Sequence, residues 1–134
     1  MTSNAIHQSL AHCKTIAVVG LSPKPHRDSY RVSKYMQDQG FRIVPINPNA
    51  PEVLGEKSYA SLTEAAQHER IDMVNCFRNA EDIPPIAAEA IAIGAKSLWL
   101  QLGVAHEPAA KEASEAGLWV VQNRCLMVEH RQRN

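Results

Sequence analysis

Five cations in this 134-residue chain fall where a parallel β-sheet would present loops to a ligand: Lys24, Arg27, Arg31, Lys57 and Arg78. Three of them crowd a single stretch, KTIAVVGLSPKPHRDSYR, which runs from Lys14 to Arg31. Gly20 interrupts it after an apolar run, where a residue without Cβ lets the backbone turn sharply or lets a ligand approach. Such a strand, opening through Gly20 onto a helix start, offers free N–H groups and the positive end of a dipole, which is chemistry for an anion. Leu21, Ser22, Lys24 and Arg27 would line the loop. Ser29 would cap the helix, with Tyr30 and Arg31 in its first turn.

The elements that must position these residues read clearly. Thr15–Val19 has the β-branched, uninterrupted apolar character of a strand buried on both faces. Pro23 and Pro25 keep residues 21–28 out of a helix. Val32, Tyr35 and Met36 then give the apolar stripe of a helix that Gly40 stops. Residues 41–46 form a second strand that Asn47-Pro48 ends, and residues 57–60 form a small edge strand or a turn. A capping box at Ser61–Glu64 opens a helix to about His68. Residues 71–77, 97–100 and 118–122 are further strands. A helix with Pro84 and Pro85 in its first turn and a small-residue helix after Pro108 lie between them. Residues 4–12 form a leading helix, and residues 126–134 a short helical tail. Strand–helix alternation of this kind implies one α/β domain over residues 1–134: a Rossmann-like, doubly wound, mainly parallel sheet of five or six strands, with helices on both faces. Ligands of such sheets lie beyond the carboxyl ends of the strands. The residues following each strand there are Gly20-Leu21-Ser22, Asn47-Pro48-Asn49, Phe77-Arg78-Asn79, Gln101-Leu102-Gly103 and Asn123-Arg124-Cys125.

Composition narrows the class. Apolar residues make 45% and charged residues 21% of the chain, and the formal net charge is zero, so bulk electrostatics favour neither nucleic acid nor a membrane surface. There is no apolar run of membrane-spanning length and no signal-peptide core, which implies a cytoplasmic protein. The cysteines, Cys13, Cys76 and Cys125, have no CxxC spacing and read as reduced thiols. The six histidines show no metal-like pairing, and no catalytic triad can be argued from spacing.

The nucleotide can be narrowed as well. A dinucleotide fold wants G-x-G-x-x-G and an acid at the second strand tip. Here Gly20 stands alone and the tip is Asn47-Pro48, which disfavours NAD. The P-loop pattern is also missing. Coenzyme A suits the cations better. Its ribose carries a 3′-phosphate, which an acid would repel by about 4 kcal/mol for unit charges about 4 Å apart at an effective dielectric constant of about 20.

The stretches AVVGLSPKPHRDSYRVSKYM, VPINPNAPEVLGEKSYASL, VNCFRNAEDIPPI, GAKSLWLQLG and VVQNRCLMVEH carry a resemblance. In this order and spacing, over about residues 14–129, the chain resembles the small stand-alone CoA-binding proteins. Their domain is similar to the N-terminal part of the succinyl-CoA synthetase α subunit. The resemblance implies that the Gly20–Ser29 loop holds CoA phosphate and that Asn47, Pro48, Lys57 and Tyr59 line the nucleotide half. It implies that Phe77 and Arg78 meet the adenosine or phosphate region, and that Gln101 to Gly103 face the pantetheine arm. The synthetase's phosphohistidine and grasp partner belong to further domains, so binding of CoA or an acyl-CoA is implied rather than catalysis. The protein would be a sensor or carrier. A subunit of a split acyl-CoA ligase and an NAD(P)-binding redox sensor are the alternatives. Because CoA ends in a thiol, a mixed disulfide with Cys125 is chemically open.

Overall fold

A computed structural model describes residues 2–133. Helix α1 (Thr2–His12) leads into strand β1 (Thr15–Val19), followed by α2 (Asp28–Asp38) and β2 (Arg42–Ile46). A hairpin of β3 (Glu52–Val53) and β4 (Glu56–Lys57) precedes the short α3 (Leu62–Ala65). Then come β5 (Met73–Cys76), a 3₁₀ turn at Ala80–Asp82 that runs into α4 (Ile83–Ala92), and β6 (Ser97–Leu100). The described chain finishes with α5 (Glu107–Glu115), β7 (Trp119–Val121) and α6 (Leu126–Gln132).

Five strands form one sheet in the order β2-β1-β5-β6-β7, every pair parallel. This is the doubly wound α/β fold that the alternation implied. The chain leaves β1 for one neighbour, β2, and later returns to the other side of β1 with β5, so the winding direction reverses between β1 and β5. The register brings the strand tips level: Val19 stands opposite both Ile46 and Cys76, and Cys76 opposite Leu100. Gly20, Asn47, Phe77 and Gln101 therefore leave the sheet along one edge.

Alternating side chains feed two cores. Ala17, Val44, Val74, Cys76, Leu98 and Leu100 pack with residues of α3, α4 and α5. Ile16, Val18, Ile43, Met73, Trp99 and Val121 pack with Ile6 of α1, Val32 and Met36 of α2 and Leu126 of α6. Both faces of the sheet are covered, which is why its strands read as unbroken apolar runs.

The small edge element differs from the expected single strand or turn. It is an antiparallel hairpin whose two central residues, Leu54 and Gly55, have φ of 56° and 75°. Positive φ at both positions is the turn that matches strand twist. Tyr59 then bridges to Ile46, which fastens the segment to the β2 edge.

Candidate functional site: the carboxyl edge of the sheet

The β1–α2 junction is built around Gly20. Its φ is +86°, and a Cβ there would stand 2.5 Å from the Phe77 carbonyl oxygen and 3.1 Å from Cδ of Arg78. The junction thus needs glycine twice over, for the backbone conformation and for the close approach of the β5 tip. The Gly20 N–H donates to the Ile46 carbonyl at 3.0 Å, which continues the β1–β2 ladder one residue beyond the strands.

From there the loop is held by short-range hydrogen bonds. The Ser29 hydroxyl accepts from the Ser22 N–H at 3.0 Å, and the Ser22 hydroxyl from the Lys24 N–H at 3.1 Å. Ser29, the expected cap, does not cap the helix. The helix instead starts at Asp28, with Arg27 in the capping position and no side-chain cap. Ser29 closes the loop from inside the first turn, because its hydroxyl is spent on a backbone donor seven residues upstream. The first N–H groups of α2 are left without an intrahelical acceptor. Asp28 sits among them, but its carboxylate is paired with the Arg31 guanidinium, which also donates to the His26 carbonyl at 2.6 Å. That pairing offsets the one acid at the helix start. Among the described residues no carboxylate pairs with Lys24 or Arg27.

Asn47 ties the neighbouring strand tip to the same loop. Its Nδ2 donates to the Leu21 carbonyl at 2.9 Å, its Oδ1 accepts from Asn49 N–H at 2.8 Å, and its backbone N–H donates to Tyr59. Its carbonyl accepts from the Ser58 hydroxyl at 3.0 Å. Asn47 is thus a clamp between β2, the hairpin segment and the anion loop.

Three connected clefts follow the edge. One, of about 500 Å³, lies between the β1 and β2 tips and α4, with Gly20, Asn47, Pro48, Arg78 and Pro85 among its walls. The second, of about 640 Å³, is the loop itself, with Lys24, His26, Arg27, Ser29 and Phe77. The third, of about 450 Å³, opens between α2 and α6, where Arg31, Phe77, Arg78, Gln101 and Cys125 meet. Gly20 and Ser22 belong to the first two clefts, Asp28 and Phe77 to the second and third, and Arg78 to the first and third.

The expected site residues divide accordingly. Gly20, Ser22, Lys24, Arg27, Ser29, Arg31, Asn47, Pro48, Phe77, Arg78 and Gln101 line this connected groove. Leu21 is fully buried in the α1–α2–α6 core and reaches the edge only through its carbonyl. Tyr59 is buried and stacked on His68, with Lys57 over its ring at 5.3 Å, so neither lines the groove. Tyr30 faces a separate shallow hollow with Pro25 and Tyr35. Gly103 donates its N–H to Asn123 Oδ1 at 2.7 Å and braces the β6 and β7 tips.

Residues not assigned to the site from the sequence complete the walls: Asp82 just before α4, Ile86 and Glu89 on α4, and Val32, Met127 and Val128 on α2 and α6. The α4 residues follow the β5 tip, so the edge rule already pointed to them. The α6 residues are set in place by long-range bonds. Trp99 Nε1 donates to the Arg124 carbonyl at 2.9 Å, and Gln101 Oε1 accepts the Leu126 N–H at 3.0 Å at the start of α6.

The thiols separate sharply. Burial pushes Cys76 up to about 12, and burial with the nearby Asp72 carboxylate does the same for Cys13. Cys125 is half-exposed and faces the third cleft. All three are free thiols. Among the described residues no three His, Cys, Asp or Glu side chains gather as a metal site, and no helix is long and apolar enough to cross a membrane.

A level parallel edge, a winding reversal between β1 and β5 and an uncapped helix over a glycine turn define a Rossmann-like fold. The family is specific: residues 14–131 match the CoA binding domain, and the chain belongs to that family. It is 42% identical over 125 residues to the Bacillus subtilis protein YneT, itself described as uncharacterized, spanning 93% of this chain and 91% of YneT. A hypothetical protein from Pyrococcus horikoshii superposes with a TM-score of 0.91 at 39% identity, covering 98% of this chain and 92% of that one. An ADP-forming acetate–CoA ligase from Archaeoglobus fulgidus is 29% identical over 91 residues, which is 66% of this chain but 13% of the ligase.

Proposed function

We propose that the protein binds coenzyme A or an acyl-CoA along the connected groove, as a binding or sensor protein rather than a catalyst. The carrying observation is the start of α2: an uncapped helix N-terminus of eleven residues, beside Lys24 and Arg27, whose charges no carboxylate among the described residues offsets. The diphosphate would lie across the Gly20–Ser29 loop, where N–H groups and cations converge. The nucleoside would occupy the cleft under Asn47, Pro48 and Arg78, and the pantetheine arm would run past Phe77 toward Gln101. With Asn47-Pro48 in place of an acid, the β2 tip offers a 3′-phosphorylated ribose no repelling carboxylate, and the two acids of that cleft are engaged, Asp82 with Arg78 and Glu89 with Thr63.

Domain membership supports CoA as the ligand, and it also motivates one further reading. Similarity to a small part of an acetate–CoA ligase is what a ligand-binding subunit of a split ligase would display. Acyl-CoA synthesis that requires both this chain and an ATP-grasp partner would establish that reading. The decisive comparison for the binding function is thermal stabilisation by CoA, NAD and ATP at equal concentration. CoA at a hundredfold excess over its dissociation constant adds about 2.7 kcal/mol to the folded state. Equal or larger shifts with NAD would overturn the assignment.

A further inference from the structure

The third cleft is unlike the rest of the groove. Its walls away from the phosphate loop are apolar: Val32 of α2, Leu102 and Val104 of the β6–α5 loop, and Met127 and Val128 of α6. Leu102 is 70% exposed and is the one large apolar side chain left exposed among the described residues. Packing gives no account of it, since neither core includes it. The two guanidinium groups at this cleft are already neutralised, Arg31 by Asp28 and Arg78 by Asp82 at 3.5 Å. The cleft therefore offers apolar contact without a spare cation.

Position determines what could fill it. Asp28 and Phe77 wall both this cleft and the phosphate loop, so a ligand anchored by its diphosphate at Lys24 and Arg27 has its far end here. A bare thiol gains little from five apolar walls, whereas an alkyl chain gains from each methylene it removes from water. A volume of about 450 Å³ is within the range of small-molecule pockets.

We infer that the groove selects CoA thioesters of short, uncharged, saturated acyl groups, with the acyl chain held between α2 and α6 under Leu102. This rests on the CoA reading and adds the acyl class to it. The absence of an unpaired cation in the cleft sets it against acyl groups that end in a carboxylate.

Calorimetry with CoA, acetyl-, butyryl-, hexanoyl- and succinyl-CoA, in the presence of reductant, tests it. Affinity should tighten by roughly three- to fourfold per buried methylene, with butyryl-CoA ahead of succinyl-CoA. Leu102→Ser should flatten that series, costing hexanoyl-CoA more affinity than CoA itself. Alkylation of Cys125, followed by mass spectrometry, should be slowed more by hexanoyl-CoA than by CoA. A flat series, a preference for succinyl-CoA, or equal protection of Cys125 would overturn the acyl assignment while CoA binding stood. Failure of every one of these ligands to bind would overturn the CoA reading beneath it.

Discussion

The two edges of the sheet treat part of their charge differently. At the amino edge the side-chain charges are committed to one another. Arg42 donates to Glu69 at 2.6 and 2.8 Å and reaches Glu56 at 3.3 Å. Asp72 accepts the N–H groups of Lys14 and Thr15 at 2.9 and 3.1 Å and lies 3.7 Å from Lys96 Nζ. At the carboxyl edge, Lys24 and Arg27 have no such partner among the described residues, and α2 starts without a cap. The starts of α3 to α6 show that this is local. Ser61 caps α3 by accepting Glu64 N–H at 3.1 Å, and His106 caps α5 through Nδ1 at 3.2 Å from Ala109 N–H. Gln101 serves α6, and α4 begins with prolines whose missing N–H groups need nothing. Donors left open at α2 forgo about 1 kcal/mol that a cap would supply, which is the pattern of a ligand site superimposed on a stable frame.

The contrast can be broken most severely at Gly20. Gly20→Ala places a Cβ against the Phe77 carbonyl at positive φ, so a loss of at least about 2 kcal/mol is expected in urea denaturation. Gly94→Ala, with φ of +75° but nothing within 4 Å, should cost less, about 1 kcal/mol. Equal losses would remove the argument for close approach. Next in size, Arg27→Ala should weaken CoA binding by roughly ten- to a hundredfold, the worth of a charge-assisted hydrogen bond. Its unfolding midpoint should stay in place.

Smaller and more pointed is Arg27→Asn, which supplies the cap that α2 lacks. Stability should rise by about 0.5–1 kcal/mol while CoA affinity falls. Ser61→Ala, at a helix with an occupied cap, should do the reverse, with about 1 kcal/mol of stability lost and no change in affinity.

The smallest effect belongs to the amino edge. The Arg42 hydrogen bonds hold the Glu69 carboxyl below its ordinary value of 4.5. A carboxyl lower in the folded than in the unfolded state stabilises the fold above that ordinary value, and the contribution disappears as pH falls through the depressed one. Arg42→Gln should flatten the acid side of the stability–pH curve by less than about 1 kcal/mol, because Arg42 is half-exposed. Its CoA affinity at neutral pH should be unchanged.

The sequence carried the sheet because strands covered on both faces are written as apolar runs, and Gly20, Asn47, Phe77 and Gln101 marked their tips. What it could not carry depends on long-range partners. Ser29 looks like a cap because capping and loop closure need the same hydroxyl acceptor, and only the fold brings Ser22 to it. The hairpin was hidden by Leu54, which occupies a positive-φ position where Asn or Asp would have signalled the turn. Leu21 and Tyr59 follow strand tips in the chain yet turn into the cores, a choice that neighbouring residues alone do not decide. The α2–α6 cleft was illegible for a similar reason. Residues 126–134 read as a tail, and it takes Trp99 and Gln101 to draw α6 back across the edge.

Three backbone N–H groups, those of Asp28, Ser29 and Tyr30, carry the CoA assignment. Titration of ¹⁵N-labelled protein with CoA reports on them directly. These amides, with those of the Gly20–Arg27 loop, should show the largest shift changes, and Glu107 at the start of α5 should stay still. Saturating CoA binding that leaves the α2 amides unmoved would contradict it.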